Sequence, residues 1–325
     1  MLIFCKLFLK KKLKSIKIRY FSPKMTHLLI FLRHLLYLCK PNYLCLCMYN
    51  VSFSGKLYSF SGSCVMGIVN VSPDSFYVSS AGSDILTVID RHLSEGVQII
   101  DLGGCSTRPN VVFADETEEW NRVSKALTAI RDAYPDVIVS LDTFRASVAQ
   151  RAVEIFGVQM INDISGGQLD ADMFPVAGSL GVPYILTHYR TNPSALTGSD
   201  FMSEVIDYFQ RNISCLTQCG VKDIILDPGF GFGKTLEQNY LLLGRLSELK
   251  IFGLPILAGV SHKSMIYRLL GTDAAHAGNG TTVCETAALL AGADIIRTHN
   301  VRNVADAIKI TEKLRTLDIK NKYLI

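Results

Sequence analysis

The sequence predicts an α/β chain that closes into a (β/α)8 barrel, the TIM-barrel architecture, preceded by a basic N-terminal extension expected to be poorly ordered. Three observations predict it. Eight short apolar runs recur at residues 65–70, 97–102, 137–142, 159–163, 183–188, 223–227, 255–259 and 294–299. Longer stretches between them carry helical spacing. Nearly every run also stops at a polar residue, which is what the open face of a parallel barrel requires.

The extension comes first. Lys10, Lys11, Lys12, Lys14, Lys17 and Arg19 are interleaved with Leu, Ile and Phe, and no Asp or Glu occurs before Asp74. An acid-poor, basic, amphipathic start is the pattern of an organelle transit peptide. Residues 1–60 are therefore expected to be a leader and the location mitochondrial; the alternative is a cytoplasmic chain with an uninformative leader. The apolar stretch at 28–38 is cut by Arg33 and His34 and closed by Lys40 and Pro41. That falls short of the roughly 20 apolar residues a spanning helix needs, so no membrane span is expected. The formal net charge of +4 comes from this leader, because charges beyond Asp74 are mixed and slightly acidic. Such a balance gives no reason to expect nucleic acid as a partner.

The barrel is expected over residues 61–325. Each apolar run is short, rich in β-branched residues and bounded by Gly or Pro, as buried parallel strands are. Helical spacing is clear at 117–134, 145–156, 201–219 and 304–317, and faintest after the fourth run. Eight strands with helical crossovers favour a closed barrel over an open sheet, and 325 residues that are 49% hydrophobic can bury one such core. The nine cysteines are scattered; neither the Cys45/Cys47 pair nor the Cys215/Cys219 pair has a second half with zinc spacing. Reduced thiols in a non-secreted protein are the simpler reading.

The polar residues that end the runs are Asn70, Asp101, Asp142, Asn162 with Asp163, His188, Asp227 and His299. A carboxylate at a buried strand end is costly unless it has a partner or a task. An Asp that merely caps the following helix accounts for a couple of these, not for all together. In a barrel the ends converge on one mouth, where βα loops build active sites.

Around these positions the sequence resembles the dihydropteroate synthase family. The segments that carry the resemblance are Met66-Gly-Ile-Val-Asn-Val-Ser-Pro-Asp-Ser-Phe76, Gly96-Val-Gln-Ile-Ile-Asp-Leu-Gly-Gly-Cys-Ser-Thr-Arg-Pro109 and Ser140-Leu-Asp-Thr143. They continue with Ile161-Asn-Asp-Ile-Ser-Gly-Gly167, Asp227-Pro-Gly-Phe-Gly-Phe-Gly-Lys-Thr235, Gly259-Val-Ser-His-Lys-Ser264 and Ile296-Arg-Thr-His299. The likeness spans about residues 64–317 and keeps the family's order. It implies condensation of 6-hydroxymethyl-7,8-dihydropterin diphosphate with 4-aminobenzoate, release of pyrophosphate, a Mg²⁺ cofactor and a homodimer.

A reduced pterin offers adjacent N–H donors along one edge, and a buried carboxylate accepts two such bonds side by side. The resemblance places Asp227 there, with Asn162 and Asp142 on other ring heteroatoms and Lys263 donating to the carbonyl or a ring nitrogen. Arg297 and His299, two apart on the last strand, project to one side of it and suit the diphosphate. Asn70 matches the magnesium-associated asparagine; one protein oxygen with phosphates and waters is ordinary for this ion. Thr107, Arg108, Pro109 and Ser264 match the aminobenzoate pocket, and the loops at 71–80 and 105–110 are expected to close over the substrates. Pyrophosphate is expected to leave first, and Asp101 and Asp142 to favour the pterin methylene cation that remains. Asp101, Asp142 and Lys263 are thus the expected catalytic set, and Cys105 is not a nucleophile. Gly229–Thr235 ends like a phosphate-binding P-loop, but that pattern needs glycine where Pro228 stands.

The chain departs from the family at Cys105, where Glu is usual, at Asn110, where Gly is usual, and in Phe76-Tyr-Val-Ser-Ser80. His262 replaces an arginine and is expected to weaken substrate binding relative to it. Two rivals follow: a pterin-dependent methyltransferase barrel and a catalytically silent pterin-binding paralogue.

Overall fold

The computed structural model describes residues 48–53, 56–71, 83–105, 113–192 and 195–322. The leader before residue 48 and most of the two loops after the first and second barrel strands lie outside the described residues. Among those described, no helix is long and apolar enough to cross a membrane.

The first elements were not foreseen. β1 (Met48–Phe53) and β2 (Lys56–Ser61) form an antiparallel hairpin with Met48 opposite Ser61. The barrel then runs β3 (Cys64–Asn70), α1 (Ser83–Ser94), β4 (Ile99–Gly103), α2 (Glu116–Ala133), β5 (Ile138–Asp142), α3 (Ala146–Phe156), β6 (Met160–Asp163), α4 (Met173–Leu180) and β7 (Tyr184–Thr187). It continues with α5 (Gly198–Gln218), β8 (Ile224–Asp227), α6 (Leu236–Gly244), a 3₁₀ turn (Leu246–Phe252), β9 (Leu257–Ala258), α7 (Ser264–Leu270), α8 (Gly278–Leu290), β10 (Ile295–Thr298) and α9 (Val301–Lys322).

The eight parallel strands pair in the order β8-β7-β6-β5-β4-β3-β10-β9, and a parallel bridge from Leu226 to Ile256 joins β8 to the start of β9. That bridge turns the sheet into the expected closed barrel. Local signals fix the helix ends. Asp115 caps α2 by accepting the Glu118 N–H at 2.8 Å, and Thr235 and Gln238 form a reciprocal capping box at α6. Gly157 and Gly181 take left-handed conformations at the ends of α3 and α4. α4, whose periodicity was faintest, is only eight residues long and buries just Met173 and Ala177 fully.

Strand alternation sorts the core into two layers. Ile100, Leu102, Val139 and Leu141 face outward against Trp120, Val123, Leu127 and Ile130 of α2. Tyr184, Leu186, Leu226 and Ile296 do the same against the later helices. The opposite set (Cys64, Met66, Ile99, Met160, Ile185, Ile225, Leu257 and Ile295) forms a separate apolar cluster inside the barrel. It is the floor on which the site rests.

Candidate active site

Because side chains repeat every two residues along a strand, the residues above that floor can be read off directly. Two positions beyond Ile99, Met160, Ile225 and Ile295 stand Asp101, Asn162, Asp227 and Arg297; four beyond Met66, Ile138 and Ile295 stand Asn70, Asp142 and His299. A polar layer thus covers an apolar one. The same alternation excludes two residues that sequence reasoning had grouped with the mouth. His188 points outward, 4.7 Å ring to ring from Tyr208 and 3.4 Å from Glu204, and burial lowers its pKa to about 4. Asp163 also points outward, accepting bonds from the Ser165 and Gly167 N–H groups and from the Tyr184 hydroxyl. Both brace the wall rather than the mouth.

Within the layer the side chains form one network. Arg297 donates from Nε to Asp101 Oδ2 and from Nη2 to Asp142 Oδ2, each at 2.6 Å. Asn162 Nδ2 donates to the same Asp101 oxygen at 3.0 Å. The carboxylates therefore come from strands four and five of the chain, the amide from six and the guanidinium from ten. Burial opposes the Arg297 charge, but Asp101 and Asp142 outweigh it and push its pKa up. Asp142 is raised above the usual carboxylate range, mainly by burial, with Asp101 and Glu119 adding to it and Arg297 opposing it. Asp101 Oδ1, Asp142 Oδ1 and Asn162 Oδ1 have no hydrogen-bond partner among the described residues. Three buried acceptors without donors are expensive for an apoprotein and ready for a ligand rich in N–H groups.

Asp227 and Lys263 complete this side. Asp227 Oδ1 accepts the Gly229 N–H at 2.8 Å, and its carboxyl is pushed up by burial against the pull of Lys263. Lys263 Nζ donates to the Phe230 carbonyl and sits 4.7 Å from the centre of the Phe232 ring. Burial lowers its pKa to about 8, although Asp227 works to keep the charge. Its stem crosses Gly231, which has φ +85°; a Cβ there would stand 3.3 Å from Lys263 Cδ.

Two residues that sequence reasoning missed hold this loop. Lys234 is buried, and its ammonium donates to the carbonyls of His188, Gly229 and Phe232 at 2.9, 2.7 and 3.1 Å. Burial lowers its pKa to about 7. That use of Lys234 agrees with rejecting a P-loop. Phe232, 5.9 Å from the Tyr189 ring, lines the mouth beside Lys263. A lysine set among three glycines and two phenylalanines was the signal available for both.

At the last strand, His299 shares a hydrogen bond between Nδ1 and Ser261 Oγ at 3.0 Å, and the same hydroxyl accepts the His299 N–H at 3.2 Å. Asn70 Oδ1 lies over Gly103: a Cβ on Gly103 would be 2.8 Å from it and 3.7 Å from Asp142 Oδ2. Ser264, half-buried, opens α7 directly after Lys263. Thr107, Arg108 and Pro109 lie outside the described residues. The ring nitrogens of His262 are engaged with Ala274 and Asn300 rather than with the mouth.

No cluster of three or more His, Cys, Asp or Glu side chains suited to a metal occurs among the described residues. Asn70 offers a single amide oxygen at the mouth, which would suit a magnesium ion carried on a substrate diphosphate and otherwise held by phosphates and waters.

Comparison with known proteins adds a family to this geometry. A family model described as "Pterin binding enzyme" matches residues 66–299. A dihydropteroate synthase of Synechocystis is 38% identical over 262 residues, covering 77% of this chain and 89% of its own. The structure of a Coxiella burnetii dihydropteroate synthase in complex with pteroic acid matches with TM-score 0.77 and 35% identity, covering 83% of this chain and 99% of that one. A Xanthomonas albilineans dihydropteroate synthase with 4-aminobenzoic acid matches with TM-score 0.76 and 29% identity over the same shares. The barrel, its ring of inward polar side chains and these likenesses agree: this chain belongs to the dihydropteroate synthase family of pterin-binding enzymes.

Proposed function

We infer that this chain condenses 6-hydroxymethyl-7,8-dihydropterin diphosphate with 4-aminobenzoate and releases pyrophosphate, as a dihydropteroate synthase of folate biosynthesis. The observation that carries the reading is the inward layer of Asp101, Asp142, Asn162, Asp227 and Arg297, in which one buried oxygen each of Asp101, Asp142 and Asn162 awaits an N–H donor. A pterin ring supplies such donors along a flat edge, and a diphosphate supplies the negative charge that Arg297 and His299 suit.

In this reading Asp227 accepts the paired N–H edge of the ring, Asn162 and Asp142 take neighbouring heteroatoms, and Lys263 donates to the carbonyl side. Arg297 stays charged and held flat by two carboxylates, so it stabilises the departing pyrophosphate without reorganising. Asp101 and Asp142 then favour the pterin methylene cation, and the aromatic amine attacks it. The ring of Phe232, Ser264 and the Thr107–Arg108–Pro109 segment are assigned to aminobenzoate. Magnesium, when bound through the diphosphate and Asn70, would neutralise charge on the leaving group. Mixing both substrates with Mg²⁺ should release pyrophosphate; tight pterin binding without release would make the chain a silent relative.

Two further expectations belong to the same reading. Ile310, Leu314 and Leu317 make an exposed apolar stripe along α9, and Val283 and Leu290 are exposed on α8, which packs beside it. This supports a homodimer built on those helices, to be checked by sedimentation, where a monomer at micromolar concentration would refute it. The basic leader supports delivery to a mitochondrion; a leader–fluorophore fusion spread through the cytosol would refute that.

A further inference from the structure

We propose that His262 is a positioning residue for the diphosphate end of the site, setting His299 and Asn300 in place through its ring. Among the described residues it is the one non-glycine with a positive φ, 52°. A histidine pays strain to sit there, and such strain persists where the surroundings fix the conformation. Here the surroundings come from three elements. The His262 N–H donates to Thr281 Oγ1 of α8 at 3.1 Å. The ring Nδ1 lies 2.7 Å from the Ala274 carbonyl, which can only accept, so Nδ1 carries the proton. Nε2 is then the acceptor for Asn300 Nδ2 at 3.1 Å.

The consequence falls on β10. Asn300 is the residue after His299, and its own N–H is held by Thr298 Oγ1 at 3.0 Å. The His262 ring meets the His299 ring edge to face, 5.7 Å between centres, while the preceding residue, Ser261, holds His299 Nδ1. The turn 261–262 therefore grips the end of β10 from two sides. An arginine at 262 has donors but no acceptor, so it could not take the Asn300 amide in this way. The inference rests on the proposed role of His299 at the diphosphate.

The experiment measures pyrophosphate affinity, by product inhibition or direct titration, for His262→Gly, His262→Asn, Asn300→Ala, His262→Asn/Asn300→Ala and His299→Ala in the full chain. Glycine accepts the positive φ freely; asparagine tolerates it and can keep the Ala274 bond but reaches less far toward Asn300. Both 262 variants and Asn300→Ala should weaken pyrophosphate binding roughly five- to tenfold, the worth of a lost positioning hydrogen bond, while KM for aminobenzoate stays within about twofold. The double variant should be no worse than either single, because one path is broken twice. Affinity unchanged in the 262 variants, or effects that multiply in the double variant, would overturn the proposal. If His299→Ala also binds pyrophosphate normally, the failure lies instead with the reading of the diphosphate site.

Discussion

Replacing Glu285 by glutamine should stabilise the fold, and by more as the pH rises. Glu285 lies on the face of α8 turned to β10, wholly buried, and neither carboxyl oxygen makes a well-formed hydrogen bond. Burial lifts its pKa from 4.5 to about 8, with the nearby Thr298 hydroxyl pulling the other way. Below pH about 4.5 the carboxyl is protonated in folded and unfolded chains alike and costs nothing. Above that value the folded chain must retain a proton that the unfolded chain gives up, so stability drops by about 1.4 kcal/mol per pH unit. The loss continues until about pH 8, where the folded group ionises too. The cost works out at about 3 kcal/mol near pH 7 and about 5 kcal/mol above pH 8. Glutamine keeps the shape and cannot ionise. Urea unfolding of both proteins from pH about 5 to about 9 reads the difference directly, with equal denaturant slopes expected. A stability gap that stays constant across that range would refute the argument, for it would mean that Glu285 does not titrate late.

Other outcomes follow from the same geometry. Asp227→Asn should cut kcat/KM by about one to two orders of magnitude, about 1.4–2.7 kcal/mol for a charge-assisted bond to the ring, seen in initial rates of pyrophosphate release. Lys263, with its pKa at about 8, is charged below that pH and loses its proton above it. Pterin affinity should therefore fall on the alkaline side, and a flat profile up to pH about 10 would show that the ammonium is not needed. Chelation with EDTA should stop turnover and added Mg²⁺ restore it, while the circular dichroism of the chain stays unchanged, since no protein cage for the ion exists among the described residues.

Much of this was legible beforehand. Short β-branched runs between helical stretches led to the barrel because parallel strands buried on both faces leave that mark. The polar strand ends led to Asp101, Asp142, Asn162 and Asp227 for a physical reason: charge at a buried strand end needs a task. What the string could not show was which face each end takes. Asp163 and Asn162 are neighbours in sequence yet point to opposite sides of the wall, and His188 went outward with Asp163. The pairing of Arg297 with two carboxylates joins residues 155 and 196 positions apart, beyond any local pattern. The hairpin at 48–61 was hidden inside a basic leader whose composition drew attention away from its alternation. Lys234 resembled a phosphate ligand and proved to be a brace, because only the fold shows that three carbonyls surround it.

Gly103 takes no part in any chemical step, yet it is a place where enlargement would displace a neighbouring polar side chain. One methyl group there would wedge against the Asn70 amide and crowd Asp142, disturbing two of the inward side chains together. Drift toward alanine at this spot would leave the barrel folded and the enzyme crippled, so a library screened for solubility alone would accept variants that one screened for turnover discards.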